Sequence, residues 1–190
     1  MNVEPVEADR ARLAAARPGD TTLGLAVAEK PGFLPFYVFA GTGLSTLSRD
    51  QAEEHVAAGL SMQECVVEVR TIAEICRQFV SGEIHFLKID IEGGERSALA
   101  GADFRNFRPW IVLVEATRPN SQEATHNEWE WLLTDAAYRF VYFDGLNRFM
   151  SQKSGILNSH LRSRSHLTCS MILSWLARLQ CYARFLQPYP

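Results

Sequence analysis

The chain has 190 residues, of which 47% are hydrophobic, with a formal net charge of −3 and a pI near 6.0. That is enough for one domain with a sizeable core, and two complete domains would be a stretch. The charge balance leaves no electrostatic footprint for nucleic acid apart from a local basic stretch near the C-terminus.

The start, Met1 to Asp9, carries early acids and lacks the basic and apolar regions of a signal peptide. No uninterrupted apolar run reaches the length of about 18 residues that predicts a membrane span. A cytoplasmic location is expected. Cys65, Cys76, Cys169 and Cys181 show no C-x-x-C spacing, so reduced thiols are expected rather than a zinc site or a disulfide framework.

Val3-Glu4-Pro5 reads as the end of a strand, and Glu7 to Arg17 as an alanine-rich helix. After the turn at Pro18-Gly19-Asp20, Leu23 to Ala28 forms a second strand. Phe36 to Phe39 forms a third beyond the Pro31-Gly32 break. Ser48 with Gln51 predicts a capping box for a helix over Gln51 to Leu60. Thr71 with Glu74 predicts another over Ile72 to Phe79, with strand-like Val66 to Val69 between them.

His85 to Glu95 is the stretch richest in chemistry. Phe86, Leu87, Ile89 and Ile91 make a β-prone run that ends in an acidic, glycine-bearing turn, and a helix follows from Glu95 to Ala100. Trp110 to Glu115 is another apolar strand ending on a carboxylate, so two successive strands present acids at one edge. Open α/β sheets bind ligands beyond the carboxyl ends of their strands, which makes Asp90, Glu92 and Glu95 candidates. A solvated loop is the bland alternative, because polar residues end strands in any α/β protein. Lys88 and Glu115 read as structural residues at strand edges.

Thr125 with Glu128 predicts a third capping box, for a helix whose Trp129, Leu132, Leu133 and Ala136 fall at core-packing spacing. Tyr138 to Phe143, Asp144-Gly145 and Arg148 to Met150 predict a terminal antiparallel hairpin. Strands alternating with helices and closing on that hairpin imply a mostly parallel sheet with one reversed strand. From Ser151 the composition turns to serine and basic residues. Leu167 to Leu186 then reads as an amphipathic packing helix, with a membrane-surface or partner-binding helix as the alternative. The expected organisation is one domain over 1–150 and a divergent tail over 151–190.

Four pieces in order, Phe86 to Glu95, Gly101-Ala-Asp-Phe104, Arg108 to Thr117 and Tyr138 to Phe149, resemble the FkbM-type methyltransferases over roughly Asn2 to Met150. The resemblance implies an α/β fold with a Rossmann-like class I methyltransferase sheet of seven strands, the last antiparallel. It also implies S-adenosylmethionine as cofactor and O-methylation of a small-molecule hydroxyl on a sugar or polyketide. Carried over by position, Glu4 ends the family's second strand and would hold the cofactor ribose, two accepting oxygens meeting two hydroxyl donors. Asp90 and Glu92 would face the transferred methyl group and acceptor, with Asp90 also beside the cofactor. His126 matches a recurring Thr-His before a Glu-Trp helix and is a further candidate base.

The chain departs from the family pattern at both ends, and in the tail after Met150 the family's last strand would normally continue. The first strand and its acid-x-Gly-x-x-x-Gly loop should stand before Asn2, so an N-terminally incomplete domain is expected. Gly41-Thr-Gly43 cannot replace that loop, because no helix opens directly behind it. The other reading is therefore a non-catalytic remnant or interaction module of the fold, whose binding of S-adenosylmethionine would be weak or nil. A third reading, a carboxylate-bound metal at Asp90, Glu92 and Glu95, lacks a dedicated coordination loop, and no metal is assigned. The particular acceptor and the oligomeric state are not legible.

Overall fold

The computed structural model describes residues 1–118 and 121–152. Strand β1 (Asn2–Val3) leads into helix α1 (Glu7–Ala16), which buries none of its residues. Strand β2 (Thr22–Leu23) then pairs with β1 in parallel, Asn2 opposite Thr22. The single strand expected over Leu23 to Ala28 is broken, because the chain changes sheets at Gly24. A Cβ there would stand 2.6 Å from Arg10 Nη1. Strand β3 (Ala26–Val27) consequently belongs to a second sheet.

In that second sheet β4 (Gly32–Val38) is followed by helix α2 (Arg49–Ala57) and β5 (Gln63–Arg70), in spatial order β3-β5-β4. Strands β4 and β5 are antiparallel over seven residue pairs, from Gly32 opposite Val69 to Val38 opposite Gln63. Both are longer than the short apolar runs alone indicated. The chain is mixed α/β, and among the described residues its strands fall into three sheets, one of them built on this hairpin, where the sequence reading expects one mostly parallel sheet.

Helix α3 (Ile72–Phe79) starts on the predicted capping box. Thr71 Oγ1 accepts from Glu74 N–H at 3.1 Å, and Glu74 Oε2 accepts from Thr71 N–H at 3.0 Å. At α2 the box is half made, with Ser48 Oγ accepting from Gln51 N–H at 3.4 Å and no reciprocal bond. Gln51 is drawn instead against Gly93, where a Cβ would overlap its amide.

Strand β6 (Phe86–Ile89), helix α4 (Glu95–Ala100) and strand β7 (Ile111–Glu115) follow as expected. The third capping box does not form. Thr125 has helical backbone angles and no side-chain cap bond, His126–Glu128 makes a single 3-10 turn, and α5 is limited to Glu130–Asp135. The core spacing held nonetheless, since Trp129 and Leu133 are buried with Leu132 and Ala136 packed beside them.

Strands β8 (Tyr138–Phe143) and β9 (Asn147–Gln152) form the predicted hairpin, and β9 inserts between β7 and β8 to give the order β6-β7-β9-β8. Strand β9 runs antiparallel to both neighbours, whereas β6 and β7 are parallel, so this sheet has one reversed strand. Its apolar side chains make the main core: Val112, Val114, Tyr138 and Met150 are completely buried against Ala98, Leu99, Trp129 and Leu133. Tyr138 spends its one donor on Pro109 O at 2.7 Å, which offsets the cost of burying its hydroxyl.

Cys65 and Cys76 are both free thiols. No helix among the described residues is long and apolar enough to cross a membrane. The tail helix expected over Leu167 to Leu186, with Cys169 and Cys181, lies outside the described residues.

Candidate functional site

A cleft of about 1150 Å³ is lined by residues from the N-terminal segment, β3, α3 and the four-stranded sheet. Asn2, Val3 and Glu4 line it, as do Phe86 to Glu92. Strand β6 ends its sheet, and β1 pairs within its own two-stranded sheet, so both of these cleft-lining strands are sheet edges.

The acids converge through strand register. Ile89 stands opposite Val114 in parallel pairing, and one further step sets Asp90 beside Glu115. The chain then reverses through Glu92 and Gly93, both in the left-handed region at φ 52° and 85°. Such a conformation is strained for glutamate and must be held by its surroundings. Thr46 Oγ1 donates to Glu92 O at 2.8 Å, while Glu95 Oε1 accepts from the N–H groups of Ile91 at 3.1 Å and Gly93 at 3.2 Å. Glu95 is therefore committed to the turn.

Asp90, Glu92 and Glu115 each offer one carboxylate oxygen, all within 4.8 Å of one another. Lys88 Nζ meets Asp90 Oδ2 at 2.8 Å and is the cation that partly offsets them. Glu92 Oε2 is buried without a hydrogen-bond partner. Glu115 is only 6% exposed, and its carboxylate has no hydrogen-bond or ion-pair partner among the described residues. Burial, reinforced by the neighbouring carboxylates and opposed by Lys88, pushes Glu92 up to about 8 and Glu115 up to about 9. Glu95 is also raised, chiefly by burial, against the pull of its backbone donors.

Glu4 lines the cleft with Oε1 accepting from Val6 N–H at 2.8 Å, and burial raises its pKa above the ordinary 4.5. No other hydrogen bond reaches its carboxylate among the described residues. His126 is elsewhere. Thr125 N–H donates to Ala116 O at 2.8 Å, which keeps His126 near the carboxyl end of β7. Its Nε2, however, lies 3.9 Å from Glu130 Oε2, and it does not line the cleft. Glu130 in turn is held by Arg148 Nη2 at 2.8 Å.

The fold thus brings together Asp90 and Glu92, sets Glu4 at the same cleft, and leaves His126 out. Glu115, read from sequence as structural, replaces Glu95 in the acidic group. The signal was present in two adjacent strands both ending on acids. Thr46 had none, because its role depends on a loop docking 46 residues away.

Residues 1–140 match the family model described as the methyltransferase FkbM domain. No curated protein and no solved structure matches the chain.

Proposed function

The chain belongs to the FkbM methyltransferase family, and we propose that its cleft brings S-adenosylmethionine and a small-molecule hydroxyl together for O-methyl transfer. The observation that carries this reading is the cleft itself, lined by both a ribose-type acid and an acidic turn.

The residues fit the cofactor at one end. Glu4 lines a cleft large enough for a nucleoside, its carboxylate takes one hydrogen bond among the described residues, and it would hold the ribose hydroxyls. No acid-x-Gly-x-x-x-Gly loop accompanies it in the sequence. When bound, the cofactor supplies a sulfonium methyl that is already electrophilic. The chain's task is then to hold an acceptor oxygen in line and to take its proton. Glu92, with a buried unpartnered oxygen, is the group best prepared to accept that proton. Asp90, paired with Lys88, supplies polarity and a fixed edge. The acceptor is a sugar or polyketide-like hydroxyl.

The discontinuity between β1 and β6 favours a second reading, a non-catalytic module of the same fold. Calorimetry of the whole chain with S-adenosylmethionine separates the two. Saturable binding that Glu4→Ala weakens supports the enzyme, and silence up to millimolar ligand supports the module.

A further inference from the structure

The carboxylates of Asp90, Glu92 and Glu115 form an arrangement that proton acceptance alone does not explain, and we propose that they bind a divalent, oxygen-preferring cation such as Mg²⁺, Mn²⁺ or Ca²⁺. Three acids from two parallel strand ends and one strained turn place an oxygen each within 4.8 Å of the others. Carboxylates bind Mg²⁺ at about 2.0–2.1 Å and Ca²⁺ at about 2.3–2.6 Å, so oxygens on opposite sides of either ion stand roughly 4–5 Å apart. The observed spacing fits that sphere.

Clustering by itself would mean little, because acids often gather without an ion. Two further observations point to a ligand. Glu115 is 6% exposed and its carboxylate has no hydrogen-bond or ion-pair partner among the described residues, yet one of its oxygens lies within 4.8 Å of the other two acids. Glu92 Oε2 is buried and equally unpartnered. A buried carboxylate left without a partner is costly, and neighbours of the same charge deepen the cost. Lys88 makes its ion pair with Asp90, at 2.8 Å, and acts on the two glutamates only at longer range, offsetting their burial in part. A cation would satisfy both at once.

The turn is built to keep this geometry. Glu95 holds the amides of Ile91 and Gly93, and Thr46 holds the carbonyl of Glu92. The left-handed Glu92 is thereby fixed with its side chain among the acids. Asp90 and Glu92 line the cleft and Glu115 does not, so an ion there would keep an open side for water or another oxygen ligand. On the methyltransferase reading, on which this last role rests, that ligand would be the acceptor hydroxyl, made more acidic by the ion.

The test uses the whole chain stripped with chelator and titrated with MnCl₂, free Mn²⁺ being followed by electron paramagnetic resonance. The expected result is one saturable site from which Mg²⁺ or Ca²⁺ displaces Mn²⁺. Glu92→Gln and Glu115→Gln should each weaken it roughly tenfold or more, while Glu53→Gln on α2 should not. Thermal melts without metal guard against misfolding, since relieving the crowded charges should leave either variant at least as stable as the wild type. Mn²⁺ should raise the wild-type Tm and leave that of Glu115→Gln unmoved. A wild-type chain that binds no Mn²⁺ up to about 10 mM overturns the proposal, as does undiminished affinity in both glutamine variants. Mn²⁺ binding without binding of S-adenosylmethionine would leave the ion site standing and remove the methyltransferase role, so the two failures remain distinct.

Discussion

Glu4 answers to two demands, because its position at the cleft suits ribose binding while its burial opposes its charge. Burial raises its pKa above 4.5 in the folded chain, and only in part do Val6 N–H, Arg10 and Arg12 offset this. The folded chain therefore keeps this proton to higher pH than the unfolded chain does. The resulting stability is full below about pH 4.5 and is lost as pH rises through the folded value. Glu4→Gln keeps the acceptor for Val6 and removes the titration. Urea melts of the ligand-free chain at successive pH values should show wild-type stability falling above pH 4.5 relative to the variant. Parallel curves for the two proteins would rule this out.

Among the elements, α3 owes its start to local chemistry that can be isolated. Thr71 is buried and its reciprocal bonds with Glu74 satisfy two donors at the helix end. Thr71→Ala should cost about 1–2 kcal/mol, the upper part of the range for lost caps, because the stranded Glu74 N–H is only partly hydrated. A lower urea midpoint with unchanged slope would show it, and an unchanged midpoint would mean that tertiary contacts hold the helix unaided. This box was legible because its four residues are contiguous and nothing competes for them. The box at Thr125 failed although the same letters stand there. Thr125 is tied by its backbone to Ala116, just beyond the end of β7, and its backbone takes helical angles unsuited to a cap. The acidic edge was legible for the matching reason, since strands ending on Asp90 and Glu115 announce it locally. Which acids meet was not, because the choice of Glu115 over Glu95 depends on strand register and on two backbone amides within the turn. The break at Gly24 and the antiparallel β4–β5 pairing were hidden likewise, being decided by partners far along the chain.

At the scale of the molecule, the cleft is lined by structure of unequal strength. Strands β7 and β9 lie inside the four-stranded sheet with Val112, Val114 and Met150 fully buried. The unit formed by β1, α1 and β2 closes mainly on itself: Asn2 bonds Thr21, Glu4 bonds Leu23, and Arg17 bonds Asn2. Helix α1 contributes no buried residue to hold it against the rest. Stability against local opening follows buried contact, so this unit should open without unfolding the main sheet. In hydrogen exchange followed by mass spectrometry, amides of residues 2–23 should exchange well before those of Val112 to Val114 and Phe149 to Ser151. Proteolysis at low protease should likewise nick near Arg17 first. The cleft gives the experiment a functional arm, because a ligand that touches both Glu4 and Asp90 would couple the two bodies. S-adenosylmethionine should then slow exchange in residues 2–23, whereas a divalent cation alone, held by Asp90, Glu92 and Glu115, should protect the acidic turn and leave β1 and β2 as they were. Equal protection of β1 and β7 in the ligand-free chain would show that the two bodies already behave as one.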